Sequence, residues 1–115
     1  MLPSNVVEVL EYIEPDGRSP YAESFDSLNP PAAAKVMIAA ARLAQGNLFN
    51  VKSVAGGVHE YRIDFGPGYR VYFGRDGQRA ILLLGGGTKK RQSRDIANAL
   101  GRWLDYKRRK KLEIR

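Results

Sequence analysis

Two arginines and two lysines stand where phosphate chemistry could be assembled. Arg62 and Arg70 lie in the alternating stretches Glu60-Tyr61-Arg62-Ile63 and Tyr69-Arg70-Val71-Tyr72-Phe73, and Lys89-Lys90 follow directly on Gly85-Gly86-Gly87-Thr88. Guanidinium forks and ammonium groups bind phosphate oxygens through charge-assisted hydrogen bonds. An RNA phosphodiester carries its own nucleophile, the 2′-hydroxyl. A protein that cleaves it must help remove that proton, protonate the leaving 5′-oxygen and stabilise the pentavalent phosphorane with cations. Lysine, arginine and tyrosine can share this work when the RNA is rigidly positioned. Arg70, Arg62 and Lys90 are the candidate catalytic residues on this reading. Lys89, Arg91 and Arg94 are candidate backbone contacts, and Tyr72 could stack on a base or donate a proton. Each residue also has a structural role open to it: Arg70 as the cross-strand partner of Asp64, Arg62 on a solvated face beside Glu60, Tyr72 as a half-buried strand tyrosine.

Other chemistries are excluded by composition. The 115-residue chain has no cysteine, so disulfides, thiolate metal sites and cysteine nucleophiles are absent together. Its single histidine, His59, reads as a loop or edge residue rather than a general base, and no Asp/Glu pair stands at metal-ligand spacing. Gly85 to Lys90 lacks the spacing of a phosphate-binding loop. Neither a metal nor a cofactor is expected. The length fits one domain, 1–115, with a basic tail from about residue 107.

The net charge of +7 is unevenly placed: residues 1–88 carry 8 Lys/Arg against 9 Asp/Glu, and residues 89–115 carry 11 against 3. Cations near the end of a helix complement its dipole, but Lys89, Lys90, Arg91 and Arg94 sit where the last helix should begin, and there they oppose it. That placement points to a polyanion, or to an acidic protein partner. The run Ala80 to Thr88 is too short to cross a bilayer, and Met1 to Glu14 lacks the basic start of a signal peptide, so a cytoplasmic protein is expected.

The elements that must position these residues follow from periodicity and turn chemistry. Val6 to Ile13 reads as a strand closed by Pro15-Asp16-Gly17. Ser19-Pro20 starts a short helix with Tyr21, Phe25 and Leu28 on one face, and Asn29-Pro30-Pro31 starts a second, alanine-rich one with Val36, Ala40 and Leu43 as its stripe, ended by Gly46. From Val58 the period becomes two. Gly66-Pro67-Gly68 and Asp76-Gly77 read as hairpin turns, and Ala80 to Leu84 as a strand covered on both faces and ended by the glycines. Ile96, Leu100, Trp103, Leu104 and Lys107 mark a final amphipathic helix from about Gln92 to Lys110, with Trp103 in the core. The expected fold is α+β, ordered β-α-α-β-β-β-α, with a helical hairpin on one face of a mainly antiparallel four-stranded sheet.

A symmetric first turn would set Asp64 opposite Arg70 and Arg62 opposite Tyr72. Tyr61, Ile63, Phe65, Tyr69, Val71 and Phe73 would then face the helical hairpin, with Arg62, Arg70 and Tyr72 on the other face, accompanied by Glu60 and Asp64. A two-residue second turn would add Ile81 and Leu83 to the arginine face.

With these motifs assembled, the chain resembles the RelE/ParE toxin superfamily, and within it the HigB-like addiction module killer branch. The resemblance rests on Glu60-Tyr61-Arg62-Ile63, Gly68-Tyr69-Arg70-Val71-Tyr72-Phe73 and Leu82-Leu83-Leu84-Gly85-Gly86-Gly87-Thr88-Lys89-Lys90, and spans about Val6 to Lys110. It implies the toxin of a type II toxin–antitoxin pair, a metal-independent endoribonuclease that cuts messenger RNA on the ribosome. It also implies a small helix-turn-helix antitoxin as partner, with ribosome and mRNA as the other partners and no membrane or small-molecule cofactor. Arg70 and Arg62 match the family's strand arginines, and Lys89 and Lys90 its basic pair. Asp64 departs from a lysine of some members, and no tyrosine stands near Ile96, where some carry a catalytic one. ParE-like members of the same fold block DNA gyrase instead, and a toxin relic would bind its antitoxin alone.

Overall fold

The computed structural model describes residues 7–113. The order is β1 (Glu8–Glu11), α1 (Pro20–Asp26), α2 (Pro30–Ala44), β2 (Val51–Ala55), β3 (Val58–Ile63), β4 (Tyr69–Asp76), β5 (Ala80–Thr88), a short 3-10 turn Lys89–Arg91, and α3 (Gln92–Glu113). The sheet order is β1-β5-β4-β3-β2; β1 runs parallel to β5 and all other pairs are antiparallel. The fold is thus α+β, with a mixed sheet of five strands rather than four. The parts of the expected first strand and of the N-terminal reading that fall on residues 1–6 lie outside the described residues. No helix of the described residues is long and apolar enough to cross a membrane.

The strand missing from the sequence reading is β2. It pairs with β3 through Gly56-Gly57, both at positive φ (41° and 94°), a two-residue hairpin loop that only glycine occupies without strain. The helix starts are as predicted: the Ser19 hydroxyl accepts from Ala22 N (3.1 Å) and Asn29 Oδ1 from Ala32 N (2.9 Å), each before a proline at the first helical position. The buried stripe of α2 is Ala32, Val36, Ala39 and Leu43; Ala40 is only half-buried.

One core lies between the helical hairpin and the sheet and contains Val36, Leu43, Tyr61, Ile63, Tyr69, Val71 and Phe73, as alternation requires. Phe65 lies beyond the strand end and is partly exposed. Ile81 and Leu83 belong to this core, not to the arginine face. The second hairpin closes with Asp76 opposite Ala80, leaving three residues in the loop rather than two. Ile81 stands opposite Arg75 instead of Tyr72, a change of three, and any odd change of register turns every following side chain over. A bulge at Leu84 then turns them back, so Gly85 faces Tyr72 and Gly87 faces Arg70. The glycines extend β5 to Thr88 instead of ending it.

The second core lies under α3: Tyr12, Val58, Tyr72, Leu82, Leu84, Ala99 and Trp103, with Ile96, Leu100 and Tyr106 at its margin. Leu104, predicted on this stripe, is 52% exposed. Gly74 has no side chain because the Trp103 ring fills that space, and a Cβ on Gly57 would lie 2.6 Å from Trp103 Nε1. Helix α3 continues to Glu113, so residues 107–113 of the basic stretch form its last turns.

Candidate nucleic-acid interface

Helix α3 covers the Gly74 end of this face and leaves the β3–β4 turn end open. There, Arg62 and Arg70 stand directly opposite each other, not opposite Tyr72 and Asp64. The connection runs from Asp64 to Gly68, with Gly68 N donating to Phe65 O (2.9 Å), so the register differs from the symmetric reading by two residues and the faces are preserved. Asp64 has left the ladder, and the expected Asp64–Arg70 pair is not formed.

Like charges directly opposed destabilise a sheet unless something neutralises them. Glu60 does so. Its carboxylate is fully buried, with Oε1 3.4 Å from Arg70 Nε and 3.8 Å from Arg62 Nε. Oε2 accepts from Gln92 Nε2 at 2.7 Å, tying the start of α3 to the same carboxylate. Arg70 is 5% exposed and its Nη1 donates to Tyr69 O (3.1 Å), while the Arg62 side chain is 54% exposed. One guanidinium is fixed in the floor and the other reaches solvent.

Tyr72, opposite Glu60, is fully buried. Burial foremost, then the Glu60 and Asp95 charges, raise its pKa far above the ordinary phenol value, so it stays protonated. It therefore cannot serve as an exposed stacking surface for RNA, because α3 lies over it. Asp95, in the first turn of α3, packs against Gly87; burial raises its pKa against the opposing pull of Arg91, Arg94 and Arg102. Glu60 Oε1, Arg70 Nε, Tyr72 OH and Asp95 Oδ2 are all buried without a hydrogen bond of good geometry, the first two facing each other as an ion pair.

The arginines open into a polar cleft of about 460 Å³ lined by Phe49, Asn50, Val51, Lys52, Arg62, Asp64 and Arg70. Lys89 adjoins it: a Cβ placed on Gly68 would touch Lys89 Cβ at 3.4 Å and Arg70 Nη1 at 3.5 Å, and Lys89 N donates to Gly68 O (2.9 Å). Lys90, Arg91 and Arg94 are exposed on the 3-10 turn and the first turn of α3, outside the cleft lining. His59 is on the other face, stacked on Phe73 with centroids 5.4 Å apart; burial and Arg75 lower its pKa. No group of three or more His, Asp or Glu side chains among the described residues could hold a metal ion.

No family model matches this chain. An uncharacterized protein of Haemophilus influenzae is 44% identical to it over 71 residues, which cover 62% of this chain and 72% of that protein. This chain belongs to that protein's family.

Sequence reasoning brought Arg62, Arg70 and Glu60 to one face but did not read Glu60 as the buried counter-ion of the arginines, and it missed Gln92 and Phe49. The signal for Glu60 was its parity with Arg62 and Arg70 on strands of the same sheet. For Gln92 it was the position just after the basic triplet. Phe49, in the loop before β2, could be placed only once β2 was recognised.

Proposed function

We propose that this protein is the toxin of a type II toxin–antitoxin pair, with a RelE-like fold of the HigB-like branch, and that it cuts messenger RNA on the ribosome. The observation that supports this reading most is the opposed pair Arg62–Arg70, held by one buried carboxylate at the floor of an open polar cleft beside a basic turn. A phosphate seated there meets a fixed guanidinium from below and a mobile one from the side, the charge arrangement a phosphorane requires. In the reaction the 2′-oxygen bonds to phosphorus and loses its proton. The bond to the 5′-oxygen breaks and that oxygen gains a proton, leaving a 2′,3′-cyclic phosphate and a 5′-hydroxyl. Arg70 stabilises the phosphorane and Arg62 orients the phosphate. Lys89 binds the backbone next to the cleft, and Lys90, with Arg91 and Arg94, extends the basic surface along the start of α3; exposed outside the cleft lining, Lys90 is a backbone contact on this reading rather than a proton carrier. The partners on this reading are a small helix-turn-helix antitoxin, the ribosome and its message, in the cytoplasm.

A second reading is binding without cleavage, as in a gyrase inhibitor or a toxin relic. The position of His59 favours it, because the one imidazole faces away from the cleft. Induction followed by mapping of messenger 5′ ends separates the two. Cuts within translated frames that disappear with Arg70→Ala and fall with Arg62→Ala support the nuclease. Intact messages with DNA breakage and an SOS response support gyrase inhibition, and growth arrest by neither route rejects both.

A further inference from the structure

Phe49 is 90% exposed, the most exposed large apolar side chain among the described residues, and it stands in the lining of the cleft that holds Arg62 and Arg70. Nothing about its backbone is loose. Gly46, at φ 76°, turns the chain out of α2, and Asn47 N donates to Arg42 O (2.9 Å). Asn47 Oδ1 accepts from Phe49 N (3.1 Å), Leu48 packs into the hairpin-side core, and Val51 N donates to Leu48 O (3.1 Å). Asn50 O accepts from Arg62 N (3.1 Å), which continues the β2–β3 ladder past its end. The residues on both sides are pinned by these bonds, and the ring is presented to water.

We infer that Phe49 is a stacking platform for a nucleobase of a single-stranded RNA whose phosphate rests on Arg62 and Arg70. The inference deepens the proposed function and rests on it. A cationic groove bordered by an exposed aromatic ring is the combination by which single strands are held, the ring taking the base face and the cations the backbone. The cleft volume is within the range of ligand sites, and Lys52 adds a third cation to its wall. Stacking accepts every base, so Phe49 supplies affinity and register; the Asn50 amide, beside it in the lining, carries the hydrogen-bonding groups that can discriminate among bases.

The test measures binding at low salt, by fluorescence anisotropy, of a 2′-deoxy single-stranded pentanucleotide that cannot be cleaved, and of the same oligomer with a central abasic site. Phe49→Ala is expected to weaken binding of the intact oligomer by about tenfold or more. Phe49→Trp retains it, and wild-type protein binds the abasic oligomer as weakly as Phe49→Ala binds the intact one. Arg62→Ala weakens both oligomers and flattens the salt dependence. If Phe49→Ala binds as wild type while Arg62→Ala is impaired, the stacking role is overturned and the phosphate site stands. If wild-type protein binds neither oligomer, both fail. Unchanged oligomer binding by Phe49→Ala with loss of a co-purifying protein assigns the ring to a protein interface and overturns the inference. Phe49 packs on nothing, so an unchanged melting temperature excludes misfolding as the cause.

Discussion

Removing the Glu60 carboxylate should cost this protein more stability than removing any exposed charge. Glu60→Ala leaves Arg70, 5% exposed, without its counter-ion, returns Arg62 and Arg70 to direct opposition, and strips Gln92 Nε2 of its acceptor. Breaking a buried pair by deleting one partner costs about 3–5 kcal/mol, because the survivor stays desolvated and uncompensated. For a domain of this size about 4 °C of melting temperature follows each kcal/mol, so Glu60→Ala should melt on the order of 12–20 °C below wild type. Glu60→Gln keeps the shape and one acceptor for Gln92 but not the charge, and should fall between. The decisive variant is Glu60→Ala with Arg70→Met, which removes both charges and fills the space with an apolar chain. It should regain most of the loss, since a buried pair replaced as a unit by apolar groups is often near neutral. Urea denaturation of wild type, Glu60→Ala, Arg70→Met and the double variant closes the double-mutant cycle. If Glu60→Ala loses less than about 1 kcal/mol, or the added Arg70→Met costs further stability, the carboxylate does not hold the arginines and the account of the cleft floor is wrong.

Two further perturbations address the rest of the α3 face. Gly74→Ala would place a methyl group inside the space of the Trp103 ring, which Gly57 confines from another side; overpacking of this kind costs about 1–3 kcal/mol, read as a lower denaturation midpoint, while Gly101→Ala on the open side of the same helix should be neutral or stabilising. Asp105 accepts from the Tyr12 hydroxyl (2.7 Å), Arg109 Nε (2.6 Å) and Arg108 Nη2 (2.6 Å), and these bonds depress its pKa from 3.8 to about 2. A depressed acid stabilises the fold fully above its unfolded value and loses that contribution as the pH falls through the folded one. Wild type should therefore lose stability between about pH 4 and 2, and Asp105→Asn should show a shallower acid limb in denaturation midpoints measured across that window.

Alternation made the two faces of β3 and β4 legible because a two-residue period survives any even change of register. The expected symmetric turn was wrong by two residues, yet Arg62 and Arg70 remained on one face. The second register was wrong by three, an odd number, and Ile81 and Leu83 went to the opposite core, which Phe73 shares. Turn length at Gly77 depends on how Asp76 pairs across the ladder, which local residue preference does not determine. The β2 strand was hidden because Lys52 and Ser53 interrupt its apolar residues and a bulge follows Ser53, although Gly56-Gly57 announced its hairpin. Glu60 looked like half of a solvated pair with Arg62 because burial of a charge depends on what lies above the strand. That is Gln92 and α3, brought there from 32 residues away.

The position of the cleft follows from where the glycines stand. Gly74 and Gly57 let Trp103 sink onto the sheet, which anchors α3 over one half of the arginine face. Gly87, without a side chain, admits Asp95 against β5, and Gly85 leaves room for Arg102, whose Nη1 donates to Leu84 O (3.0 Å). The helix can therefore approach close enough for Gln92 to reach Glu60 and bury it. On the N-terminal side of Gln92 the chain turns through Lys89–Arg91, so in the row Arg62–Arg70 the buried Arg70 forms the floor while the Arg62 side chain stays 54% exposed. A helix beginning one turn earlier would roof the arginines; one lacking these glycine seats would stand off the sheet and leave Glu60 wet. The same close packing that desolvates the carboxylate leaves the cations it holds at the edge of an open groove.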